Sequence, residues 1–187
     1  RLGNAVDPFE TLDKFGPDAT RWYMISNSNP WDNLKFDVSG IEEVRRKFFG
    51  TLHNIYSFFS LYANIDEFKN EEKIIDYKER CELDRWIISE LNTLVKEVND
   101  AYENYEPTKS ARLISKFVQD NLSNWYVRLS RRRFWKGEYN NDKIAAFQTL
   151  LECLKTVSIL SSPISPFFMD NLFQDLTMNN ESVHLTD

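Results

Sequence analysis

The chain has 187 residues, 42% of them hydrophobic, with 23 Lys and Arg against 29 Asp and Glu for a formal charge of −6. That length suits one domain with a core, or one domain and an appendage, and the acidic total excludes a surface that is basic throughout. Five glycines argue against a Gly-rich phosphate loop, Cys81 and Cys153 have no Cys or His neighbour at zinc-ligand spacing, and no apolar run is expected to span a bilayer.

The first forty residues read as short, irregular pieces. Asp7 is placed to cap a first helix with Pro8 at its first position; Gly16 stops it, and Pro17 or Asp18 opens the next. The stretch Ser39-Gly-Ile-Glu42 reads as a capping box. Behind it Ile41, Val44, Phe48, Leu52, Ile55, Phe59 and Tyr62 recur every three or four residues, one face of a long amphipathic helix. Residues 64–82 are charged and read as a connection. A second long helix runs from about Leu83 to Tyr105, with Trp86, Ile87, Leu91, Leu94, Val98 and Tyr102 inward. A third opens at Pro107 and carries Ala111, Ile114, Val118, Leu122, Trp125 and Leu129 inward. A fourth spans about Asp142 to Ser161, with Ile144, Phe147, Leu151, Leu154, Val157 and Leu160 inward. SSPISP breaks it, and a shorter fifth covers Phe167 to Leu176. No strand or hairpin signal interrupts the series. The expectation is all-α: an antiparallel bundle of four long helices plus a fifth, residues 39–187, preceded by a connection segment over residues 1–38.

Charge is not spread evenly. From Thr108 to Lys136 there are eight Lys or Arg and one acid, a local +7; the other 15 positive and 28 negative residues give −13. The densest part is NWYVRLSRRRFWKG, residues 124–137, with five cations and four aromatic rings. On a regular α-helical wheel Arg132 falls on the same stripe as Leu122, Trp125 and Leu129, with Arg128 and Arg131 on one flank and Arg133 on the other. Either the helix stops there or it runs past the bundle and presents a cationic tip. Such a tip suits RNA, because guanidinium forks grip phosphates and unpaired bases stack on aromatic rings. The plain alternative is a basic helix end that complements the helix dipole, with Trp125 and Tyr126 in the core or half-buried. The 27 aromatic residues are also compatible with a helical module that binds another protein.

The same residues carry a resemblance. YEPTKSARLISKFVQDNLSNWYVRLSRRRFW closely resembles the anticodon-binding domain of the isoleucyl-tRNA synthetases, class I aminoacyl-tRNA synthetases. ELDRWIISEL at 82–91 is similar to the Leu-Asp-Arg-Trp helix start of that family's bundle, and SPISPFFMDNLF to its Pro-x-x-Pro-Phe ending. RLGNAVDPFETLDKFGPDATRWYMI resembles the segment that follows the KMSKS-type loop, with Gly3-Asn4, Pro8 and Gly16-Pro17-Asp18-Ala19-Thr20-Arg21 matching; Pro17 departs from the commoner alanine. The valyl and leucyl enzymes share the architecture, and the valyl domain is the narrow rival.

The resemblance implies a piece of a larger ligase that charges isoleucine tRNA in the cytoplasm, using ATP and Mg that this chain does not itself bind. It implies no catalytic residue here; Arg1 would neighbour the ATP loop. Arg128, Arg131, Arg132, Arg133 and Lys136 would meet tRNA phosphates, with Trp135, Asn121 and Asn124 beside them. Arg45, Arg46 and Lys47 would form a second basic cluster. Asn121 and Asn124 read equally as surface or bundle-internal groups, and Arg21 as an ion-pair partner or an RNA contact. A monomer is implied, with tRNA and the rest of the parent chain as partners, and no metal, DNA or membrane.

Overall fold

The structure, a computed structural model, describes residues 6–69 and 72–186. Its described residues form helices and connections without a strand. Seven helices follow in order: α1 (Pro8–Phe15), α2 (Pro17–Asn27), the composite rod α3 (Val38–Val44, Arg45–Phe49, Gly50–Ile65), α4 (Glu82–Glu103), the composite rod α5 (Pro107–Lys116, Phe117–Val127, Arg128–Trp135), α6 (Asn141–Ser161) and α7 (Pro166–Thr177). The middle portions of α3 and α5 are π-helical, wound more widely than the α-helix, and the two wide portions pack against each other.

Helix starts follow the residue chemistry. The Asp7 carboxylate accepts from the amides of Phe9 and Glu10, at 2.7 and 3.2 Å, and Pro8 stands in the first turn of α1. Gly16, at φ 82°, ends α1 in a conformation that favours glycine and admits Pro17 to open α2. At α3 the expected capping box is replaced: the cap is Asp37, whose carboxylate accepts from Ser39 N at 2.9 Å, so the helix starts at Val38 and Ser39 lies inside it.

The core runs through all the helices. The apolar stripe of α3 is inward as expected, from Ile41 through Phe48, Leu52 and Ile55 to Phe59, with Val44 and Tyr62 half-buried. The α4 stripe is buried at Ile87, Leu91, Leu94 and Val98. Helix α6 is buried nearly all round, because Ala145, Ala146, Leu150 and Cys153 add a second inward face. Contrary to the expectation above, α6 is long and apolar enough by length and composition to cross a membrane; 61% of its apolar window lies inside the bundle, the position of a central core helix. Cys81 and Cys153 are both free.

Residues 8–38 share this core. Trp22 stacks on Phe48, centroids 4.0 Å apart, and donates its indole N–H to Ser115 Oγ of α5 at 3.2 Å. Arg21 donates to the carbonyls of Ile164 and Pro163 at the α6–α7 corner, at 2.8 and 3.3 Å, a structural clasp between helices. Arg112 of α5 likewise donates to the carbonyls of Ser26 and Asn27 at the end of α2. Gly40 lies so close to Tyr23 that a β-carbon there would come within 2.3 Å of the tyrosine ring.

Candidate nucleic-acid interface

The winding of α5 sets the site. Ile114, Val118, Leu122, Tyr126, Ser130 and Phe134 are all buried, one every four residues. A regular α-helix turns about 400° in four residues, so this ladder would drift about 200° over its five steps. The π-helical stretch Phe117–Val127 unwinds the rod enough to keep the ladder on the core. The inward positions at the C-terminal end are therefore Tyr126, Ser130 and Phe134, and the expected Trp125 and Leu129 are outside, 60% and 54% exposed. Arg132, which the regular wheel sets on the core stripe, is exposed for the same reason.

The rod continues to Trp135, so the C-terminal end of α5 is a cationic tip. Arg128, Arg131, Arg132 and Lys136 are exposed, and among the described residues their side chains make no ion pair or hydrogen bond. Trp135 stands beside them, 58% exposed. Asn124 is exposed as well.

Arg133 is different, and its expected place among the phosphate-facing cations is corrected. Its guanidinium makes a two-pronged pair with Asp84 of α4, Nη1–Oδ1 2.6 Å and Nη2–Oδ2 2.8 Å, and also donates to the Asp142 carboxylate and carbonyl at the start of α6. Asp84 is 0% exposed and also accepts the phenol proton of Tyr126 at 2.7 Å. Burial opposes the charge on Arg133, but the hydrogen bonds and charge of Asp84 outweigh it and push its pKa up. Burial first, and then the Asp84 charge, push the Tyr126 phenol up and hold it neutral. The signal for this clasp is in the sequence: Asp84 stands one turn before Ile87 and Ile88, an acid at the head of an apolar stripe.

Asn121 is also turned inward, donating to the Glu90 carboxylate of α4 at 2.8 Å. The second basic cluster does not join the tip. Lys47 pairs with Glu43 on its own helix, Arg45 lies over the Phe15 ring at 5.8 Å, and Arg46 is exposed. The tip instead meets the far half of α3, where Phe58 lies edge-on to Phe134 at 5.0 Å; from Arg46 to Phe58 is about 18 Å along the rod. Arg1, Gly3 and Asn4 lie outside the described residues.

An apolar depression of about 780 Å³ opens beside the tip, between the start of α4 and the outward stripe of α5. Cys81, Glu82, Leu83 and Trp86 line one wall, Trp125 and Leu129 the other. The sequence reading misses it, because it depends on the winding of α5.

Known proteins resemble this chain over nearly its whole length. The family model described as the anticodon-binding domain of tRNA ligase matches residues 84–187, which include the whole of α5 and, of the depression, Trp86, Trp125 and Leu129. A curated isoleucine–tRNA ligase of Porphyromonas gingivalis is 65% identical over 99% of the chain, and one of Dehalococcoides mccartyi is 48% identical over 98%. The chain spans only 16% and 18% of those relatives' lengths. Among solved structures, the ternary complex of Agrobacterium radiobacter K84 agnB2 LeuRS with tRNA and LeuAMS superposes over 97% of this chain and 21% of its own, with a TM-score of 0.69 at 19% identity, a likeness of fold. With its matched region carrying both the interior clasp and the exposed cationic tip, the chain belongs to the anticodon-binding domain family of tRNA ligases.

Proposed function

We propose that this chain is the tRNA-positioning part of a cytoplasmic isoleucine–tRNA ligase and that it grips the anticodon end of isoleucine tRNA. The observation that carries the reading is the pairing of 65% identity to such a ligase over 99% of the chain with a helix end where, among the described residues, Arg128, Arg131, Arg132 and Lys136 stand unpaired in an otherwise acidic protein. Guanidinium groups free of internal acids are available for bidentate phosphate contacts. Trp135 and Asn124 border this face, and Arg46 adds a smaller positive patch toward the N-terminal helices. Residues up to 38 serve as the connection to the catalytic part of the ligase. The chain acts as a single copy and contributes orientation, not chemistry.

ATP and magnesium belong to the reaction proposed for the whole ligase, where ATP activates the amino acid. Among the described residues no three His, Cys, Asp or Glu gather as a metal site, and no step of this chain is routed through either group.

Fluorescence anisotropy with labelled isoleucine tRNA, against a valine tRNA control, tests the reading. Saturable binding that favours the isoleucine tRNA is expected. Equal or stronger binding of the valine tRNA would move the chain to the valyl branch.

A further inference from the structure

We propose that the depression between Trp86 and Trp125 seats one unpaired nucleobase of the bound RNA. This rests on the tRNA-gripping role proposed above and gives that grip a second component, stacking beside charge.

Three features support it. First, Trp125 and Leu129 are held outside by the underwound α5, whose inward positions go to Tyr126 and Ser130. Large apolar side chains are rarely left side by side in water without a partner. Second, the wall residues are suited to a flat ligand. Trp86 and Trp125 line the depression without a ring-to-ring contact of their own, whereas Trp22 and Phe48 close on each other at 4.0 Å. Leu83 and Leu129 supply the apolar remainder. Indole faces accept any base by stacking, a mode that serves unpaired nucleotides and not a closed duplex.

Third, charge decides the occupant. From Arg128 the rod is regularly α-helical, so Arg132 follows Leu129 along the same outward stripe, three residues on, and Arg128, also exposed, stands directly before Leu129. A nucleotide with its base on Trp125 therefore has guanidinium groups next to it for its phosphate. The one acid of the depression, Glu82 on the opposite wall, repels phosphate and accepts base N–H groups. The base is thus directed into the depression and the phosphate toward the α5 side. An apolar protein segment would gain nothing from that division of charge.

The test titrates labelled isoleucine tRNA with the wild-type chain and with Trp125→Phe, Trp125→Leu and Arg131→Ala. Phenylalanine keeps a stacking face; leucine keeps apolar contact without one. Trp125→Leu is expected to weaken binding roughly tenfold, with an unchanged salt slope and melting temperature, and Trp125→Phe to stay within about threefold of wild type. Wild-type affinity in Trp125→Leu, with Arg131→Ala weakened, would overturn the seat and leave the phosphate face standing. A melting temperature that falls together with affinity in Trp125→Leu would return Trp125 to packing and overturn it too. No binding by the wild-type chain at any salt would remove the tRNA reading, and the seat with it.

Discussion

At the scale of single residues, three neighbouring arginines have two kinds of work. Arg131 and Arg132 are exposed and have no side-chain partner among the described residues, while Arg133 fills the space between Asp84 and Asp142. Removing one partner of a buried pair strands the other charge, so Asp84→Asn should cost about 3 kcal/mol or more, read from urea denaturation. Arg131→Ala should change stability by less than about 0.5 kcal/mol yet weaken tRNA binding. Equal losses of fold and binding in Arg131→Ala would make that residue structural. Asp170 offers a separate handle. Its carboxylate accepts from Ser182 Oγ at 2.7 Å and Val183 N at 2.8 Å, and the Ser182 hydroxyl above all holds its pKa below the ordinary 3.8. A depressed acid stabilises the fold above its unfolded pKa and loses that contribution as pH falls through the folded one. The Val183 amide resonance should therefore hold steady down to about pH 4 and shift only in more acidic solution. In Asp170→Asn that step should vanish; its persistence would assign the titration elsewhere.

At the scale of elements, α5 shows where reading the sequence succeeds and where it stops. Ile114, Val118 and Leu122 are legible as core from spacing alone, because over only two steps of four residues the regular wheel drifts too little to leave the core face. Beyond them the regular wheel selects Trp125, Leu129 and Arg132, and the molecule selects Tyr126, Ser130 and Phe134. The difference comes from backbone hydrogen bonds reaching one residue further, which side-chain periodicity does not report. Replacing adjacent residues tests the ladder. Phe134→Ala should cost about 3–5 kcal/mol by opening a cavity against Phe58 and Phe147, while Trp135→Ala should stay within about 0.5 kcal/mol. Comparable losses would mean that both rings share the core. The helix starts show the same division. Asp7-Pro8 is readable because the cap is local, while Ser39 yields to Asp37 because Tyr23 fixes the approach: its hydroxyl accepts from Asp37 N at 2.9 Å, and its ring crowds Gly40.

At the scale of the whole molecule, an acidic body carries one cationic end. If about three phosphates are neutralised there, the logarithm of the association constant should fall against the logarithm of salt concentration with a slope of roughly −2 to −3. A flat dependence would deny phosphate the main share of the contact. The end that carries this charge belongs to the rod that begins at Pro107, and near its start Arg112 fastens it to α2. Mechanically α5 is then a lever anchored at the N-terminal helices with its load at the far end. Over its 29 residues, from Pro107 to Trp135, the rod is roughly 40 Å long, so a tilt of about 5° at the anchor displaces the tip by roughly 3 to 4 Å. That is about the thickness of one stacked base. The clasps at Arg21, Arg112 and Arg133 are thus where a tolerance is set: a slip of a few degrees between the helices they join would move the charged end by the size of what it is proposed to hold.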